Sequence, residues 1–190
     1  MKKLILIALP LFIFSCKPGI ESFRPQIEEL ATNWDSNTKS VTDFANNLTT
    51  EISGFTNIAT TMTLAEDVVK GLKPDMAAKY AEATTAFSAA TSAYGPIQSE
   101  LGEFTKMWVE KTAGVNALKD GLANGKIEGD VKMQIADLTA LIAQASEKIT
   151  GWQAKQAEAK AATEAASAKL KEVYDMVSMK NNLTSVKKKP

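Results

Sequence analysis

The sequence predicts an all-α protein, an elongated up-down-up bundle of three antiparallel coiled-coil helices. Three observations lead there. Apolar residues recur at alternating steps of three and four along most of the chain, the stripe of a helix seam rather than the alternation of a strand. Two breaks, near Gly71–Pro74 and near Asn124–Asp130, divide the stripe into three runs of near-equal length. Short connections between such helices make neighbours antiparallel.

The first segment precedes the stripe. Lys2 and Lys3 are followed by an apolar run from Leu4 to Phe14, then by the small Ser15 and by Cys16, the single cysteine of the chain. A basic start, a short apolar core and a small residue at its end make an export signal, residues 1–15. The apolar run is shorter than the ~20 residues that a membrane-spanning helix needs. Ile13-Phe14-Ser15-Cys16 resembles a bacterial lipobox, with Phe14 bulkier than its strictest form. The resemblance covers residues 1–16. It implies cleavage between Ser15 and Cys16 and lipid attachment to Cys16, so that the chain is held to a membrane through that residue. An ordinary signal with an incidental cysteine is the alternative. Two or more acyl chains anchor a protein stably where one does not. Lys17, rather than an acidic residue, follows the cysteine, which favours the outer membrane over the inner one within the cell envelope.

Residues 16–24 are then a short lipidated tether. The first helix is expected over residues 25–70. Pro25 suits its first turn, and Glu28 and Glu29 face the positive end of its dipole. From Ile20 to Leu72, fourteen of sixteen seam positions are apolar, and the exceptions are Asn37 and Glu51. Gly71 suits a left-handed cap and Pro74 halts continuation.

The second helix is expected over 75–123, with Asp75 as its N-cap. Its seam runs from Met76 to Leu122 with Lys111 as the one departure. Gly95-Pro96 ordinarily marks a turn, but the phase continues from Tyr94 to Ile97, which argues for a kinked continuous helix. Asn124-Gly125 closes this helix and Gly129-Asp130 opens the third, expected over 130–180. Gln156 and Thr163 interrupt the third seam. Residues 181–190 form a basic tail ending in Lys187, Lys188 and Lys189.

Alignment of the layers from the turns places Glu51 beside Tyr94 or Gly95 and near Gln156. Such a layer is either a buried binding or switching site or a hydrogen-bonded layer that sets register. Asn37 and Lys111 share another level, where Lys111 can reach towards Asp35. The alanines of 77–93 and 154–168 fall opposite each other, which lets two backbones approach.

Zero histidine and one cysteine remove the commonest general base, the commonest metal ligand and every multi-cysteine metal site. No cofactor, metal or catalytic residue is expected, and the chain reads as a non-enzyme. The 22 basic and 22 acidic residues balance, and loss of Lys2 and Lys3 leaves a net charge of −2. Residues 20–72 carry three positive and eight negative charges, residues 124–190 eleven and eight. That division supports pairing of the first and third helices and offers no basic face to nucleic acid. The expected role is a lipid-anchored helical rod of the bacterial envelope, acting as a spacer, tether or surface interaction protein. Lys187–Lys189, at the membrane-distal end, would meet an anionic cell-wall polymer or protein, or simply be a solvated tail. The alternative is a binding module for a small hydrophobic ligand or an exported client, which needs a cavity that dense seams do not predict.

Overall fold

A computed structural model describes residues 19–186 of the 190, with side chains described through residue 179. Among these residues the chain is all-α, with no strand. A 3₁₀ turn, Ile20–Phe23, leads into α1, Arg24–Thr61. The short α2 covers Glu66–Lys70, α3 Pro74–Ser92, α4 Tyr94–Ala123 and α5 Val131–Val186. The expected signal segment, Cys16 and the lysine cluster lie outside the described residues.

The seam pattern accounts for the core. Every buried side chain among the described residues belongs to one of the three apolar series, from Ile27 on α1 to Val177 on α5. Nearly all of them join one continuous cluster. Burial of this stripe, rather than helix propensity alone, stabilises helices of this length.

The helix bounds differ from expectation in four places. The first helix stops at Thr61, and residues 66–70 form the separate α2. Thr60, Thr61 and Thr63 turn their hydroxyls onto the carbonyls of Thr56, Asn57 and Ala59, so the end of α1 is a run of stiff β-branched residues. Just beyond it, the Tyr80 hydroxyl donates to the Met62 carbonyl and accepts from the Leu64 N–H, both at 2.9 Å. Gly71 is not a left-handed cap, since its φ is −86°. Nor is Asp75 the N-cap of α3: Lys73 holds that place, Pro74 is the first helical residue and Asp75 lies in the first turn.

The expected continuous second helix is two helices, α3 and α4, that meet at Ala93. Pro96 is the cause. It has no N–H for the Ser92 carbonyl four residues back, and its ring crowds that carbonyl. At the same junction the Ala93 N–H bonds Ala90, three residues back, at 3.3 Å, and the Ser92 hydroxyl donates to the Ala89 carbonyl at 2.7 Å. At its other end α5 runs past Lys180 to Val186, a stretch that contains neither glycine nor proline.

The turn between α4 and α5 forms as its residues require. Gly125 takes φ 69° after Asn124. The Lys126 N–H bonds Gly121 at 2.9 Å and the Gly125 N–H bonds Leu122 at 3.4 Å, the paired bonds of a Schellman cap. Asp130 then caps α5, its Oδ1 accepting from the Met133 N–H at 3.0 Å.

Side-chain pairs give the helix directions. Trp34 meets Thr112, Thr38 meets Trp108 and Glu51 meets Tyr94, so α1 and α4 run antiparallel. Asn37 meets Ser146 and Glu51 meets Gln156, so α1 and α5 run parallel. The most extensive pairing is α3 with α5, where buried Ala83, Ala159 and Ala166 let the backbones approach. Opposite this level, α1 reaches α3 through longer side chains, as in the edge-on meeting of Phe55 and Phe87 at 6.5 Å.

Candidate functional site

The seam of α1 turns polar at Glu51, and the layer built there joins three helices. The Tyr94 hydroxyl, from the first residue of α4, donates to Glu51 Oε1. Gln156 Nε2, from α5, donates to Oε2 at 3.2 Å. Lys160 Nζ stands 3.7 Å from the same oxygen, and the Glu51 side chain is 16% exposed. The structure therefore brings Glu51, Tyr94 and Gln156 together. Lys160, one turn beyond Gln156, joins them from the surface side. Sequence spacing alone marks Lys160 only as the i+4 neighbour of Gln156.

The electrostatics of the layer are those of a half-buried anchor. Burial pushes the Tyr94 hydroxyl above its ordinary range, and the bond to the Glu51 carboxylate adds to that shift. The phenol therefore stays protonated and keeps donating. Thr163, fully buried on α5, gives its proton to the Ala159 carbonyl at 2.8 Å and lies against the Tyr94 hydroxyl. With one donor on each carboxylate oxygen, Glu51 ties α1 to α4 through Tyr94 and to α5 through Gln156. It is suited to holding register. A groove of about 540 Å³ opens beside it, lined by Asn47, Thr50, Gln153 and Lys160 among others.

Asn37 and Lys111 do not form a comparable layer. Asn37 Oδ1 accepts from Ser146 at 3.1 Å and its amide donates to the Asn33 carbonyl at 2.9 Å. Lys111 is exposed and makes no ion pair with Asp35. Its long stem lets the ammonium stay in water rather than cross the helix surface.

Two aromatic sites went unremarked in the seam pattern. Trp34 and Trp108 stack face to face, and each indole N–H donates to the threonine one turn along the opposite helix. The signal is a repeated spacing, Trp34 to Thr38 on α1 and Trp108 to Thr112 on α4. Nearby, Trp152 Nε1 donates to Glu100 Oε2 at 3.0 Å, and Lys155 meets Glu100 Oε1 at 2.7 Å. Lys155 and Trp152 together hold the Glu100 carboxyl below its usual range.

A cleft of about 140 Å³ lies between α1 and α3, next to the Glu51 layer. Ile52, Phe55, Thr56 and Ala59 line it from α1, Phe87 and Thr91 from α3, and Tyr94 from α4. The dense seams did not predict it. Drawing α3 onto α5 through alanine leaves this gap on the α1 side.

Among the described residues, no group of three or more His, Cys, Asp or Glu is placed to hold a metal ion. No described helix is long and apolar enough to cross a membrane. No protein-family model, curated protein or solved structure matches this chain.

Proposed function

We propose that the chain is a lipid-anchored bacterial envelope lipoprotein that works as a non-catalytic helical rod. One observation carries this reading: the sole cysteine, Cys16, stands directly after a basic, apolar and small-residue series. The rod is an up-down-up three-helix bundle in which α3 and α4 together make the middle helix, bent where they meet at Ala93. The opposite pairings of α1 with α4 and α5 and the near-continuous apolar cluster support that arrangement. With Cys16 at the outer membrane, the α4–α5 turn faces the bilayer. The 56 residues of α5 put its end about 84 Å away at ~1.5 Å per residue. Lys187–Lys189 are there offered to an anionic cell-wall polymer or protein. The rod is a spacer, tether or surface interaction protein.

Metabolic acyl labelling tests the anchor. The wild type takes up label and Cys16→Ser does not; equal labelling of both removes the reading. Proteolysis of intact cells separates the roles, since cleavage indicates an outward-facing binder and protection a periplasmic spacer.

A second reading, a binding module for a small hydrophobic ligand or exported client, is favoured by the cleft between α1 and α3.

A further inference from the structure

We propose that the cleft between α1 and α3 is a binding site for a single uncharged six-membered ring. The inference deepens the second reading above and is independent of the lipid anchor.

The chemistry of the walls selects the ligand. None of the seven lining residues carries a charge. Their polar atoms are already engaged: Thr56 donates to the Ile52 carbonyl at 2.9 Å, and Thr91 to the carbonyls of Phe87 and Ser88, each at 3.0 Å. The Tyr94 hydroxyl is taken by Glu51. What faces the cleft is therefore methyl groups, ring surface and hydroxyl oxygens whose hydrogens are already given away. Phe55 lines the floor, 6.5 Å from the Phe87 ring and 5.9 Å from the Tyr94 ring. A guest that can only accept hydrogen bonds would lose its water without gaining a donor, whereas an apolar one gains dispersion contacts with the aromatic floor.

Size narrows the choice further. The cleft measures about 140 Å³. Apolar voids of about 150 Å³ take up one benzene molecule. Phe55, Phe87 and Tyr94 are buried and form the floor, while Thr56 is exposed and Ile52, Ala59 and Thr91 are half-buried around the mouth. A guest can enter past the Thr56 side without the helices separating. The neighbouring Glu51 carboxylate disfavours a ring that bears an anionic group.

Benzene titrated into the methyl-labelled full-length chain tests the site. Saturable methyl shifts are expected at Ile52 and Ala59 and not at the remote Ala31 or Ala145. Half-saturation at about 1 mM or below lies within the ceiling for a six-atom ligand. Ala59→Leu fills the cleft and should weaken binding at least tenfold with helix content retained. Thr56→Leu, on the exposed rim, gives the same readout should the first variant fail to fold. Benzoate should bind at least tenfold more weakly than benzene. The proposal is overturned by the absence of saturable shifts, by shifts spread evenly along the helices, by unchanged affinity in the folded filled variants, or by benzoate binding as tightly as benzene. None of these results bears on acyl labelling, so the site and the anchor stand or fall separately.

Discussion

Trp34 and Trp108 stack with ring centroids 3.7 Å apart and planes 9° from parallel, and their hydrogen bonds are exchanged. Trp34 Nε1 donates to Thr112 Oγ1 at 3.1 Å, and Trp108 Nε1 donates to Thr38 Oγ1 at 2.8 Å. Each threonine in turn donates to the carbonyl of the tryptophan on its own helix. Two buried indoles are thus satisfied without a charged group, and α1 is fixed against α4 at one register.

Removing one half of this clasp should cost more than its area alone. Trp34→Ala is expected to destabilise the fold by about 3–5 kcal/mol, the range for large buried aromatics. Thr38→Val, which leaves the Trp108 N–H without its acceptor, should cost about 1–3 kcal/mol. A double-mutant cycle of Trp34→Phe and Trp108→Phe, read by denaturant unfolding, should show coupling of about 0.5–1.5 kcal/mol.

The Glu51 layer should be sensitive to alkali. The folded state holds the Tyr94 proton more tightly than the unfolded chain does. Its contribution to stability is therefore complete below the unfolded tyrosine value of about 10 and declines as pH rises above it. Tyr94→Phe should lower stability at neutral pH by about 1–2 kcal/mol through loss of a hydrogen bond to a carboxylate. The gap between the two proteins should narrow above pH 10, as melting curves across pH 7–11 would show.

Glu100 acts in the opposite range. Lys155 and the Trp152 indole favour its charged form, so its folded-state value lies below the ordinary 4.5. Its contribution is present above that value and is lost as pH falls through the folded one. Both partners are well exposed, at 42% and 51%, so the effect is modest and screened by salt. Glu100→Gln should lower the melting temperature slightly at pH 6 and not at pH 2.5.

Pro96→Ala should merge α3 with α4. The substitution restores an N–H for the Ser92 carbonyl and removes the ring that crowds it. A gain of up to about 3 kcal/mol and a small rise in helical circular dichroism are expected. An unchanged or lower stability would mean that the break between α3 and α4 is required by the packing around Tyr94.

Gly121→Ala tests the turn between α4 and α5. A β-carbon there would lie 2.6 Å from Ile127 Cγ1 and 2.8 Å from the Lys126 carbonyl oxygen. The turn has to shift, at a cost of about 1–3 kcal/mol in thermal or denaturant unfolding.

Much of the core was legible in sequence because period and burial are one property in a helix. Ile27, Leu101 and Leu170 could be assigned to the interior from spacing alone. So could the meeting of Glu51 with Tyr94 and Gln156, because polar residues in three seams fell at one level. The limits of the helices were harder. The phase of the apolar stripe runs unbroken across Thr61 and Ala93, so periodicity carries no information about a local break. The decisive terms there are a missing N–H at Pro96 and a tyrosine hydroxyl, that of Tyr80, reaching from another helix. The Trp–Thr clasp lay half outside the seam, on positions that a count of apolar residues passes over. The cleft depends on the difference between alanine contacts on one side and phenylalanine contacts on the other, which a one-dimensional pattern does not weigh.

The hydroxyls of α1 carry a further consequence. Nine of them, from Thr32 to Thr61, donate to a carbonyl of their own helix. Their hydrogens point inward along the backbone, and what remains outside is oxygen lone pairs and methyl groups. The hydroxyls on the outer face of α1 therefore offer acceptors and not donors. Water there is oriented with its hydrogens towards the protein. A molecule that replaces that water without loss must bring amide, amine or hydroxyl hydrogens of its own.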